Sequence, residues 1–177
     1  MTAGEARERD RAVANLLGSA GLLVVLMAAT LVLSFDSFRQ AGMIALVALL
    51  AVGLAMLALW FWGHPFGFMA IVGAMGLVGV AVNDAIVVLA AIREDPRARA
   101  GDPEQVREVV MRSTRHVVAT TLTTVAGFVP LLVVGSDFWS PLATAIAGGV
   151  IGATWLALVF VPSAYLLLLR WGMRCSP

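Results

Sequence analysis

The sequence predicts an all-α fold: an integral membrane bundle of five transmembrane helices plus one cytoplasmic amphipathic helix. Three observations lead there. Of 177 residues 60% are hydrophobic and 13% charged, with mean hydropathy +0.94, whereas soluble domains run at about 45–50% apolar and about 25% charged. Apolar runs recur at lengths near the roughly 20 residues that cross a 30 Å hydrocarbon core. Short polar or Gly/Pro punctuation separates them.

The first span is placed at 13–34, after a charged tail over 1–12. A cleaved leader has an apolar core of only about 7–15 residues. The run Val13–Leu33 is longer and no A-x-A-like site closes it, so it is read as a membrane helix. FDSFRQ leads to a second span at 41–62, and the tight turn GHP leads to a third at 66–92. The connection 93–116 is the only long one. Within it GDPEQVREVVMRS reads as an amphipathic helix: Asp102 as N-cap, Pro103 at the first position, and Gln105 where a capping box wants Glu or Gln. Glu108 and Arg112 stand four apart, and Val106, Val109 and Val110 form a stripe suited to a membrane surface. The fourth span, 117–134, and the fifth, 142–169, flank GSDFWSP; a tail, 170–177, follows. Pro162 is expected to kink the fifth span.

All twelve basic residues are arginine. With the N-terminus outside, nine of them (Arg39, 93, 97, 99, 107, 112, 115, 170 and 174) fall inside and three (Arg7, Arg9, Arg11) outside. The positive-inside rule therefore predicts an N-terminus outside and a C-terminus in the cytoplasm. Trp60, Trp62, Trp139 and Trp171 fall at span ends, as an aromatic belt requires.

The net charge of +1 gives no field for nucleic acid. The sequence shows no metal-ligand cluster, phosphate loop or nucleophile triad, so neither an enzyme nor a cofactor is expected. Cys175 has no partner for an internal disulfide. Chemistry concentrates instead in GVAVNDAIVV, residues 79–88. Asp84 is a carboxylate well inside a span, about eight residues or roughly 12 Å from its inner end at 1.5 Å per residue. Its side chain is too short to snorkel, and an Asp at mid-span costs about 2.5–3.5 kcal/mol on insertion scales. It is expected to be neutral or to face a polar interior, which suits a proton relay; a structural acid bonded to a neighbouring helix is the alternative. ATTLTT offers hydroxyl partners, and Asn83, Asp84, Thr120 and Thr124 are the relay candidates. Gly73, Gly76 and Gly79 in the third span, and Gly148 and Gly152 in the fifth, are candidates for close helix packing.

The order GVAVNDAIVV, HVVATTLTTVAGFVPLLV, PLATAIAGGVIGATWLALVFVPSAYLLLLR, with FDSFRQ before it, resembles the C-terminal membrane half of a resistance-nodulation-division (RND) efflux permease of the hydrophobe/amphiphile branch. The resemblance runs from about Gly4 to Trp171. It implies the last five of twelve spans, proton-driven export of small amphiphilic compounds, and three protomers joined to an adaptor and an outer-membrane channel. It also implies a first half, absent from this sequence, that carries the main acids. Asn83 stands at the relay position of the tenth span and Thr120 at the threonine of the eleventh. The arginine of the eleventh span falls on Ser113, a departure. NDAIVVLAAIRE is also similar to Sec-associated export proteins, and a non-transporting scaffold or truncated product is a third reading.

Overall fold

The computed structural model describes the backbone of residues 3–35 and 37–174, with the side chains of 3–10, 12–14, 16, 17, 20, 34 and 171–174 left out. The tail charges Glu5, Arg7, Glu8, Arg9 and Asp10, the side chains of Trp171 and Arg174, and Cys175 lie outside the described residues. The helices are α1 (Ala3–Phe35), α2 (Phe38–Phe61), α3 (Phe68–Glu94), α4 (Pro96–Arg99), α5 (Pro103–Val134), α6 (Ser140–Trp155) and α7 (Val161–Arg174). A π-helical turn, Leu156–Phe160, joins the last two. Among the described residues four helical stretches are long and apolar enough to cross a membrane: Phe38–Phe61, Phe68–Glu94, Pro103–Val134 and Ser140–Arg170. In α1 the described apolar stretch is Gly21–Leu33; the expected span 13–34 falls partly on side chains outside the description.

The chain divides into two units, residues 1–41 and 42–177. The first contains α1, which is already helical at Ala3, within the expected tail. In the second, α3 and α6 lie side by side and run parallel, since Gly73 meets Leu142 and Ala145 while Leu77 meets Gly149 further along. Small residues bring them this close. The core joins Ala51, Ala55 and Leu59 of α2, Ala70, Leu77 and Ala81 of α3, and Ala145, Val150 and Ala153 of α6. In lipid there is no hydrophobic gain from helix association, so close backbone packing of this kind supplies the attraction. Half of the most apolar 18 residues of Ser140–Arg170 are buried by the chain, but only 11% of the corresponding part of α5. The last span is therefore central and α5 peripheral.

Local chemistry accounts for the boundaries. Helix α2 ends in a Schellman motif: Gly63 takes φ +69°, its N–H donates to Trp60 O (3.2 Å), and His64 N–H reaches Leu59 O (3.0 Å). Pro65 follows and prevents continuation. Asp95 caps α4, accepting from the N–H groups of Arg97 and Ala98 at 2.9 Å each, with Pro96 in the first turn. Asp102 caps α5 by accepting from Glu104 N–H at 3.1 Å.

Three sequence expectations change here. The amphipathic helix and the fourth span are one continuous helix, α5, because no Gly or Pro interrupts the chain between Pro103 and Gly127. Gln105 does not complete a capping box; its amide donates to Asp95 and Glu108 instead. Val106, Val109 and Val110 are buried inside the fold rather than laid on a membrane surface. The Glu108–Arg112 pair forms at 2.6 Å but is exposed, so it contributes little, about 0.3–0.5 kcal/mol. Around Pro162 the chain widens into the π-turn: Val161 N–H reaches Leu156 O, one residue further back than an α-helix allows, just before the proline that has no N–H.

Candidate functional site

Asp84 sits where α3, α5 and α6 meet. Leu77, Ala81, Asp84, Val88 and Ile92 recur every three or four residues and form the buried face of α3. The carboxyl is accordingly 3% exposed and sheltered by protein. Thr154 of α6 is a near neighbour of the carboxyl. The buried Oδ2 has no hydrogen-bond partner among the described residues. The Thr154 hydroxyl bonds the hydroxyl of Thr121 on α5. Thr121 Oγ1 donates in turn to Val117 O at 2.8 Å.

The four relay candidates are thus divided. Asn83, one residue on and so about 100° around the helix, is exposed. Thr120 is exposed and donates to Val117 O (2.8 Å), while Thr124 donates to Thr120 O (2.8 Å). Both hydroxyls bond back to their own helix, and neither is brought to Asp84. Asn83 lies on an exposed face of α3 with Gly76 and Gly79, and Thr120 on an exposed face of α5 with Gly127. Ser113 is buried and donates to Val109 O, Arg112 is held by Glu108, and Arg115 is exposed.

Sequence reasoning passed over Thr154, and it offered Thr121 as one hydroxyl of ATTLTT without choosing it as a relay candidate. One signal was available: Thr144 and Thr154 are the polar residues in the first half of the last span. Choosing between neighbours in ATTLTT required the register of α5 against α6, which sequence does not carry.

The glycines also separate. A Cβ at Gly73 would come to 2.9 Å from Leu142 O, one at Gly148 would collide with Ala58, and one at Gly152 would collide with Leu54. Gly76 is looser, 3.8 Å from Ile146, and Gly79 opens on space. Gly149, beside the candidates, meets Leu77. Among the described residues no His, Cys, Asp and Glu group is placed to hold a metal ion.

Apolar helices long enough to span a bilayer, packed through small residues around a buried carboxyl, define a polytopic membrane protein. The chain belongs to the AcrB/AcrD/AcrF family of RND permeases, whose family model matches residues 2–169. It is 34% identical over 152 residues to the nickel-cobalt-cadmium resistance protein NccA of Alcaligenes xylosoxydans xylosoxydans, covering 84% of this chain and 14% of that protein. It is 32% identical over 126 residues to the multidrug resistance protein MdtC of Salmonella arizonae, covering 69% and 12%. A crystal structure of a heavy metal efflux pump superposes with TM-score 0.74 at 30% identity, over 92% of this chain and 16% of the pump. The chain spans about one seventh of the length of the first of these relatives. Relatives named for metals and for drugs both match, so membership does not single out the hydrophobe/amphiphile branch.

Proposed function

We propose that this chain supplies five spans of the membrane half of a proton-driven export permease in the bacterial inner membrane, with the N-terminus periplasmic and the C-terminus cytoplasmic. The observation that carries the reading is Asp84. A carboxyl buried inside the protein within a membrane span, with the Thr154 hydroxyl near it, can hold and release a proton. The exposed faces of α3 and α5 that bear Asn83 and Thr120 are where the other half of the permease, with its own acids, would pack. An adaptor and an outer-membrane channel would complete the export path.

For cargo, divalent metal cations are favoured, since NccA and CnrA are named as nickel and cobalt resistance proteins and match at 34% and 33% identity. Small amphiphilic compounds are the second reading, carried by the 32% match to MdtC. Deleting the chain's gene from its host and scoring tolerance to Ni²⁺, Co²⁺, Cd²⁺ and amphiphilic dyes tests both. Loss of metal tolerance, restored by the wild-type chain but not by Asp84→Asn, supports the first reading; loss confined to dyes supports the second. Unchanged tolerance to both, with no larger permease co-purifying with the tagged chain, defeats the proposal.

A further inference from the structure

At the end of the bundle where α3 finishes and α5 begins, a corner of the chain is fastened to the last helix. Tyr165 of α7 is 3% exposed, and its phenol donates to Arg99 O at 3.3 Å. One turn further on, Leu169 lies 3.2 Å from where a Cβ would stand on Gly101, which turns the chain into α5 at φ +91°. These contacts seat α4 and the turn after it against α7. The seated corner carries Arg97 and Arg99, both exposed, and Arg170 is exposed on α7 next to Leu169. Arg93, in the last turn of α3, is near enough for its charge to reach Tyr165, as is Arg99.

The acids of this end are mostly spent elsewhere. Asp95 accepts from the N–H groups of Arg97 and Ala98 and from the Gln105 amide. Asp102 accepts from Glu104 N–H, and Glu108 holds Arg112. Glu94 and Glu104 remain as exposed carboxylates. Among the described residues the guanidinium groups of Arg97, Arg99 and Arg170 have no ion-pair partner. Below Arg170 the surface is apolar. Ser163, Leu167 and Arg170 share an exposed face of α7. Ser163 turns its hydroxyl back to Val159 O at 2.7 Å, and Leu167 is 58% exposed. The face thus passes from apolar to cationic within one turn, at the residue where the last membrane-length stretch ends.

We propose that this corner binds an anionic phospholipid, with Arg97, Arg99 and Arg170 on the headgroup phosphate and the Leu167 face against an acyl chain. Guanidinium forks match phosphate oxygens, and basic pockets between membrane helices at the water boundary take anionic headgroups. Free phosphate would use the arginines alone; a lipid uses the arginines and the apolar face beneath them. A phosphate shared by Arg99 and Arg170 would brace the start of α5 against the last span, adding to the Tyr165 and Leu169 contacts. The proposal goes beyond the transport reading above and stands whether or not Asp84 moves protons.

The test places the full chain in nanodiscs of equimolar phosphatidylglycerol and phosphatidylethanolamine and counts the lipid it retains by native mass spectrometry. The wild type is expected to keep phosphatidylglycerol in preference, and less of it as salt rises. Arg170→Gln should lower that preference by roughly fivefold, the worth of one basic residue at an anionic surface. Arg97→Gln with Arg99→Gln and Arg170→Gln should abolish it. Arg115→Gln removes the same charge from the exposed side of α5, away from the corner, and should leave it unchanged. If the triple variant fails to fold, the two single variants still decide. Equal retention of both lipids by the wild type, or equal losses in Arg170→Gln and Arg115→Gln, overturns the proposal. Displacement by glycerophosphoglycerol, the same headgroup without chains, as readily as by the intact lipid also overturns it, and marks a site for soluble phosphate instead.

Discussion

Gly73 and Gly79 lie on one helix, six residues apart, yet the same change should move stability in opposite directions. At Gly73 an added methyl comes to 2.9 Å from Leu142 O, 3.1 Å from Ala145 Cβ and 3.2 Å from Leu142 Cα. Two of these atoms are backbone of α6, so no side chain can swing aside. The helices must part by a few tenths of an ångström, and overpacking of that kind costs about 1–3 kcal/mol. Alanine returns up to about 1 kcal/mol of helix propensity over glycine, which leaves Gly73→Ala destabilised by roughly 0–2 kcal/mol. At Gly79 nothing lies within 4 Å, so the propensity term stands alone and Gly79→Ala should stabilise the isolated chain by up to about 1 kcal/mol. Reversible unfolding in mixed micelles, or steric trapping in bicelles, measures the difference. A Gly73→Ala protein more stable than Gly79→Ala would refute the close approach of α3 and α6.

A double-mutant cycle of Thr121→Val and Thr154→Val should show coupling of about 0.6 kcal/mol, and at most about 1.7, the range for hydrogen bonds between membrane helices. Thr120→Val with Thr154→Val should show none, as the unfolding curves will report. Asp102→Ala removes the cap of α5 and should cost about 0.5–2 kcal/mol, with faster amide exchange confined to the first turn. Tyr165→Phe deletes the bond to Arg99 O, 3.3 Å long. Hydrogen exchange should then quicken in residues 99–105 while the α3–α6 contact stays protected.

Hydrophobic length alone located α2, α3 and the last span, and Gly63 with Pro65 marked the end of α2 because only glycine enters that turn without strain. Helix α5 was read as two pieces because composition changes at Val117, from charged to apolar, whereas a backbone is interrupted only by a breaker. Asp84 stood out in the sequence because its cost in lipid is large and local. The hydroxyl that meets Thr154 near it did not, since Thr120, Thr121, Thr123 and Thr124 have the same chemistry and differ only in which way each one points. That is set by the rotation of α5 against α6, a tertiary quantity.

The uninterrupted course of α5 has a mechanical side. From Pro103 to Pro130 it is a strut about 40 Å long at 1.5 Å per residue. Its foot is moored to the end of the chain: the turn before it is gripped by Tyr165 at Arg99 and rests against Leu169 at Gly101. Thr121 lies partway along, bonded to Thr154 of α6. A tilt of about 10° at the foot would sweep the far tip by roughly 7 Å, so a small change at that contact acts on a lever rather than on a loop.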